Sequence, residues 1–265
     1  MTALATEIRE TRVEPGSLAL WFLGQNGWVV KSPGGGVVAV DPYLTDSCNP
    51  SRRGLDLARM VPPPLAPEEL EADLVVCTHS HRDHADPATL AACAWSGRIG
   101  GFLGPGDTQT VFADAGIAEG DRDLLWPNRV IEHGDLRLTG TFALPTDAGD
   151  LNHVGLLIQA GGGPKLWITG DTGWHDRLAE AGLKHLPDVV CVPINGGYGN
   201  LSHWEAAELV RRVGPALAIP CHWDLFPDNA CPPRQFQASL TVKGLRQLYH
   251  EPVHGQRLIL TAHRA

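Results

Sequence analysis

One nine-residue run carries most of the evident chemistry in this chain: Thr78-His79-Ser80-His81-Arg82-Asp83-His84-Ala85-Asp86. Three imidazoles and a carboxylate fall within six positions of it. Neutral imidazoles and carboxylates are the ligand types that hold Zn²⁺ and similar divalent ions. His79 and His81 alternate, so both face one side of an extended segment. Asp83 and His84 enter the turn ahead of a helix. A solvated polar loop accounts for one or two histidines but fits three in six residues poorly. Two other segments end in the same residue types. Leu166-Trp167-Ile168-Thr169-Gly170-Asp171 closes on a carboxylate, and Leu217-Ala218-Ile219-Pro220-Cys221-His222 closes on an imidazole. Taken singly, Asp171 reads as a turn residue and His222 as a packed core histidine. Beside the first cluster they complete a ligand set.

Such ligands need rigid elements to bring them together. Residues 73–78, 165–169 and 216–220 are apolar runs of strand length, and each delivers its ligands at its C-terminal end, where open α/β sheets place their sites. Residues 18–23, 28–31 and 37–41, separated by Gly24-Gln25-Asn26-Gly27 and Pro33-Gly34-Gly35-Gly36, predict an antiparallel meander. Further strands are expected at 99–103, 136–142, 153–159, 189–193 and 257–261. Asp86 and Pro87 start a helix over 87–95, and Ser202 with Glu205 forms a capping box for one over 202–212. Residues 49–71 read as loop, and 240–249 as a helix. No repeat or linker divides the chain, which predicts one domain over 1–265, of α/β class, with mixed sheets covered by helices.

Composition narrows the partners. Of 265 residues, 30 are acidic and 21 basic, for a net charge of −9, which counsels against nucleic acid because phosphate binding needs a basic surface. Hydrophobic residues at 43% exclude intrinsic disorder. No apolar run approaches the ~20 residues needed to span a bilayer, and the polar N-terminus lacks the apolar stretch of a signal peptide. Six cysteines without a CxxC pair predict reduced thiols. The expectation is a cytoplasmic protein, not bound to membrane, acting on a small molecule. The glycine-rich loop Asn195-Gly196-Gly197-Tyr198-Gly199-Asn200-Leu201-Ser202-His203 could bring Asn195, Tyr198 or His203 to that substrate, or serve as plain helix capping. Trp223 could wall the pocket or pack in the core. His175 could line the site or start a helix, whereas His133, His185, His250, His254 and His263 read as surface or packing residues.

The order His79-x-His81-x-Asp83-His84, Gly170-Asp171-Thr172, Pro220-Cys221-His222 resembles the metallo-β-lactamase superfamily over nearly the whole chain, which implies its αββα sandwich of two mixed β-sheets flanked by helices. Trp21-Phe22-Leu23-Gly24-Gln25-Asn26-Gly27-Trp28, Asp41-Pro42-Tyr43-Leu44-Thr45-Asp46-Ser47 and Ile219-Pro220-Cys221-His222-Trp223-Asp224 resemble its L-ascorbate-6-phosphate lactonase branch. In that pattern His79 and His81 hold one metal, Asp83 and His84 a second, Asp171 bridges them and His222 completes the second site. One ligand departs from the pattern. Where a further histidine is expected, near Ala143-Leu144-Pro145-Thr146-Asp147, the chain has Asp147, with His153 six residues on. Either could reach the site, and a carboxylate there would favour Mn²⁺ or Fe²⁺ over Zn²⁺. The expectation is one or two divalent ions, zinc or manganese, with iron open. Metal-bound hydroxide would attack a small sugar-acid lactone, phosphorylated or not, or a related ester. Asp83 would position that hydroxide or take its proton, and a donor such as Tyr198 would steady the oxyanion. The alternatives are a phosphodiesterase or an iron-dependent oxidoreductase on the same fold. The resemblance also implies that copies could form a homo-oligomer.

Overall fold

A computed structural model describes residues 1–49 and 54–262, so His263 lies outside the described residues. The predicted meander is present as β1 (Ser17–Gly24), β2 (Gly27–Lys31) and β3 (Val37–Val40), each antiparallel to the next. β4 (Leu74–Val76), β5 (Phe102–Gly104) and β6 (Arg122–Leu124) then extend the sheet in parallel. A second sheet begins antiparallel with β7 (Val130–His133), β8 (Leu136–Phe142), β9 (Val154–Ala160) and β10 (Leu166–Ile168). It ends in parallel with β11 (Val189–Pro193) and β12 (Leu217–Cys221). The chain returns as β13 (Arg257–Thr261), antiparallel to β1 at the edge of the first sheet.

The two-residue period of the strands sorts side chains into layers. Leu18, Leu20 and Phe22 face the second sheet and pack with Leu136, Leu156, Ile158 and Ile168. The alternate residues Ala19, Trp21 and Leu23 face outward, beneath Leu4 and Ile8 of α1 (Ala3–Glu10), Leu90 of α2 (Pro87–Ser96) and Phe112 of α3 (Thr108–Asp114). On the far side, Trp167, Val190 and Ala218 are covered by α4 (Asp176–His185), α5 (His203–Val213) and α6 (Pro233–Val242). Strands buried on both faces read as continuous apolar runs rather than alternating ones, which is why their sequences lack a polar stripe. The architecture is the predicted α/β arrangement of two mixed sheets flanked by helices.

Local readings differ in a few places. The helix expected over 240–249 lies earlier, at Pro233–Val242, followed by a 3₁₀ turn at Arg246–Leu248. Pro232-Pro233 suggests a break, yet a proline fits the first helical turn, where its missing N–H has no partner to lose. Helix α4 starts from His175, whose Nδ1 accepts from the Arg177 N–H at 3.1 Å. An imidazole cap is outside the usual Ser, Thr, Asp and Asn signal. All six cysteines are free. Among the described residues no helix is long and apolar enough to cross a membrane.

Candidate metal centre

The site forms where β3, β4, β10 and β12 end. After β4 the chain turns once, with the His81 carbonyl accepting from the N–H groups of His84 (3.0 Å) and Ala85 (2.8 Å). That turn carries Asp83 and His84 back over the strand end. Asp86 then caps α2 by accepting from the Ala88 and Thr89 N–H groups. The β8–β9 loop is held against the same segment. Asp150 accepts from the Ser80 N–H at 2.6 Å and from its hydroxyl, and the Val154 N–H donates to the Thr78 carbonyl. This docking delivers His153. Asp171 arrives behind Gly170, whose φ is +66° and whose Cβ, were it another residue, would stand 3.0 Å from the Val154 carbonyl oxygen. Only glycine allows both the conformation and the approach.

Five imidazoles converge. The His79 ring centroid lies 4.0 Å from that of His153, 4.1 Å from His84 and 4.5 Å from His81, and His84 lies 5.4 Å from His222. Two donor sets result, linked by a third group. In the first, one nitrogen each from His79, His81 and His153 lie within 4.8 Å of one another. In the second, Asp83, His84 and His222 converge likewise. The third, His79, His84 and Asp171, joins them, and Asp171 Oδ1 is 3.4 Å from His84 Nε2 while its Oδ2 is 3.2 Å from His222 Nε2. Asp147 also reaches the first set, with Oδ2 3.0 Å from His81 Nε2, but it is half-exposed whereas His153 is buried.

Outer partners orient the rings. Asp41, fully buried, receives the His84 Nδ1–H at 2.8 Å and the Thr78 hydroxyl at 2.6 Å, and that hydroxyl accepts in turn from His79 Nδ1 at 3.2 Å. The Asp171 carbonyl accepts from His153 Nδ1 at 3.1 Å. These partners place a proton on Nδ1 of all three rings and turn each Nε2 inward, the orientation that metal-ligating histidines adopt. Among the described residues, Nε2 of His79, His84 and His153, and Oδ1 of Asp171, are buried without a hydrogen bond, although His84 Nε2 and Asp171 Oδ1 face each other at 3.4 Å. Unpaired buried polar atoms cost stability, and divalent cations held by these groups would satisfy them, so the residues present fit such ions.

Electrostatics agree. Burial keeps His79 neutral by pushing its pKa well below the usual range, and it lowers His153 as well. Burial opposes charge on His222 too, but Asp171 and Asp83 outweigh it and raise that ring to about 9. Burial opposes ionisation of Asp171, yet His222 and His84 hold it well below the ordinary carboxylate range. The second set is therefore a compensated cluster of opposite charges around one small space.

A cavity of ≈ 150 Å³ opens onto these ligands, walled by Cys48, Leu57, Tyr198, Phe226 and Asn229. Burial and Asp83 push the Cys48 thiol up to about 12, so it is not a thiolate nucleophile at neutral pH. A larger cavity of ≈ 450 Å³ lies at the opposite ends of the parallel strands, beside Lys31, Asp73 and Arg98, and holds none of the ligand candidates.

Of the residues read as substrate contacts, Tyr198 lines the small cavity. Asn195 stands behind its wall, donating to Asn229 Oδ1 at 2.8 Å. The other two do not line it. His203 opens α5 and pairs its Nδ1 with Ser239 Oγ of α6 at 2.8 Å, away from the ligands. Trp223 packs against the cores, its indole N–H donating to the Pro220 carbonyl. Several residues without an assigned role prove to contact ligands. Gln25 Nε2 donates to Asp83 Oδ2 at 2.7 Å, and Asn200 Nδ2 donates to Asp171 Oδ2 at 2.8 Å. Asp41 ends a strand beside the β4 ligands, so the strand-end rule that singled out Asp171 applies to it equally.

Residues 19–222 match the beta-lactamase superfamily domain. A UPF0173 metal-dependent hydrolase of Thermoplasma acidophilum is 30% identical over 213 residues, covering 76% of this chain and 82% of that protein. Among solved structures, isothiocyanate hydrolase from Delia radicum gut bacteria superposes with TM-score 0.74 at 18% identity, covering 92% of this chain and 100% of the other. CmlA, a diiron beta-hydroxylase from Streptomyces venezuelae, superposes with TM-score 0.70 at 17% identity, covering 94% of this chain and 55% of that one. At such identities the two structures testify to the fold alone. The sequence matches, the sandwich and the converging His/Asp donors agree: this chain belongs to the metallo-β-lactamase superfamily, in the group whose curated members are described as UPF0173 metal-dependent hydrolases.

Proposed function

We propose that the chain is a metal-dependent hydrolase of small lactones or related esters, with His79, His81, His153, Asp171, Asp83, His84 and His222 holding one or two divalent ions. The observation that carries this reading is the set of four buried ligand atoms without a hydrogen bond, beside a compact cavity lined by His81, Asp83, Asp171 and His222. A divalent ion bound there lowers the pKa of a coordinated water towards 7 and polarises a substrate oxygen. The chain's own residues supply the rest. Asp83, with Oδ2 near His84 and His222, is placed to take a proton from the attacking water. Tyr198 and Asn229 offer donors on the cavity wall, while Leu57 and Phe226 exclude water from the face opposite. The cavity's ≈ 150 Å³ suits a compact acyl substrate, since drug-sized ligands occupy about 300–1,000 Å³.

The test is turnover of a lactone panel and a phosphodiester panel by the metal-free protein and by protein reloaded with Zn²⁺ or Mn²⁺. Lactone hydrolysis restored by metal is the expected result. Full turnover without metal would refute the mechanism, and turnover confined to phosphodiesters would transfer the assignment to a phosphodiesterase.

A further inference from the structure

Gln25 occupies the turn between β1 and β2, 1% exposed, with φ at +55°. A buried glutamine in the left-handed region is strained, and such residues persist where their surroundings over-determine them. Three contacts do so here. The Gln25 N–H donates to Asp224 Oδ1 at 3.0 Å, and its carbonyl accepts from the His222 N–H at 2.6 Å. The preceding Gly24, at φ +99°, packs so closely that a Cβ would stand 3.0 Å from Leu225 Cδ2 and 3.2 Å from Asp224 Oδ2. Asp224 is itself tied to His254, on the segment that leads back to β13.

The pinned backbone delivers the side-chain amide into the second donor set. Nε2 donates to Asp83 Oδ2 at 2.7 Å and lies 3.1 Å from His222 Nε2. Those residues converge with His84 as a three-ligand group. An amide N–H carries partial positive charge but has no lone pair to give a cation. Towards the Asp83 carboxylate it therefore does part of what an ion would do, and it must leave when an ion arrives. The His79–His81–His153 set has no amide of this kind, and the Nε2 atoms of His79 and His153 stand unpartnered.

We propose that Gln25 sets the order in which the two donor sets fill, by competing with a divalent ion for Asp83. The proposal rests on the metal-dependent reading above. The first set fills at low metal concentration; the second fills only when the ion turns the amide aside.

The experiment is equilibrium dialysis of the metal-free full-length protein against Zn²⁺, with bound metal per chain counted by elemental analysis. The wild type should load in two separate steps. Gln25→Asn retains a residue that tolerates the left-handed turn while drawing the amide back by one methylene. Gln25→Met removes the donor at similar length. Each variant should strengthen the second step by about tenfold or more, the factor expected for losing a competing hydrogen bond to a carboxylate. The first step should stay within about twofold, and thereby reports that the variant is folded. A second step that is unchanged or weakened in both variants overturns the proposal, weakening being the sign that Gln25 ligates through Oε1. A wild type that binds no ion overturns the metal-dependent reading along with it, and is told apart by the missing first step.

Discussion

Replacing Asp41 by Asn tests whether the ligand cluster is organised from its outer partners. The buried carboxylate accepts four hydrogen bonds: from Asn26 Nδ2 (2.6 Å), the Thr78 hydroxyl (2.6 Å) and His84 Nδ1 (2.8 Å) at Oδ2, and from the Thr78 N–H (2.7 Å) at Oδ1. An asparagine offers one oxygen. Placed at the Oδ2 position it keeps three donors and sets its NH₂ against the Thr78 N–H; reversed, it abandons three donors. The first arrangement costs less. It leaves one buried donor unpaired, at about 1–3 kcal/mol, and weakens three charge-assisted bonds to neutral ones. Asp41 has φ +43°, a conformation that Asn tolerates well, so backbone strain does not enter. We expect unfolding free energy to fall by roughly 2–4 kcal/mol and metal affinity by about 10–100-fold, the usual effect of losing an outer partner of a ligating histidine. Urea unfolding of metal-free protein gives the first quantity, and dialysis against Zn²⁺ gives the second. A stability change below ~0.5 kcal/mol with affinity within about twofold of wild type would refute the reasoning.

Three further outcomes follow from the same geometry. His153→Ala should remove Zn²⁺ from the first set, with a loss beyond the ~100-fold limit of outer-shell changes, whereas Asp147→Ala should stay within that limit; dialysis of both variants decides which residue is the ligand. Gly170→Ala, forced to φ +66° against the Val154 carbonyl, should lower stability by about 1–3 kcal/mol, read as a fall in Tm. Asp150 is a depressed acid: burial opposes its ionisation, but the Ser80 hydroxyl and N–H outweigh that and hold it at about 2. Its contribution is therefore present above the unfolded carboxylate pKa and is lost as pH falls from about 4 towards 2. Asp150→Asn should flatten the acid limb of the stability profile in that window, and an unchanged limb would count against the linkage.

The strands and most of the residues that converge at the candidate site were legible because they obey local rules. An apolar run that ends in histidine or aspartate needs no long-range information, and the three such runs meet at one end of the sandwich. What escaped notice acts across the chain. Asn200 reaches Asp171 over 29 positions, Gln25 reaches Asp83 over 58, and the Gln25 N–H reaches Asp224 over 199. No periodicity carries such pairings. The misplaced α6, the unread α1 and α3, and α4, of which only the His175 start is read as one alternative, have a different cause. Their start signals are a proline pair, a weak Thr2 cap, an Asp107 without a capping bond and a histidine cap. His203 and Trp223 lie near the ligand residues in sequence yet do not line the cavity, because such nearness says nothing of which way a side chain turns at a helix start or a strand end.

Backbone strain ties these threads together. Among the described residues, six non-glycine residues have positive φ, and four of them, Gln25, Asp41, Tyr198 and His222, belong to the site or its cavity. Each departs from the conformations that build strands and helices, at a cost of about 1–2 kcal/mol for most side chains. Asp41 and His222 each follow directly on the last residue of a strand, β3 and β12. A strand that simply continued would send its next side chain along the alternation, into a core face or away from it. A left-handed step at that residue breaks the alternation and turns the side chain towards the gap between the sheets, where the other ligands wait. The sandwich fixes where strands end, and these strained steps fix where their terminal side chains point. Relaxing one of them would therefore be expected to loosen ligand geometry before it loosens the fold, the reverse of what truncating a core residue such as Leu156 would do.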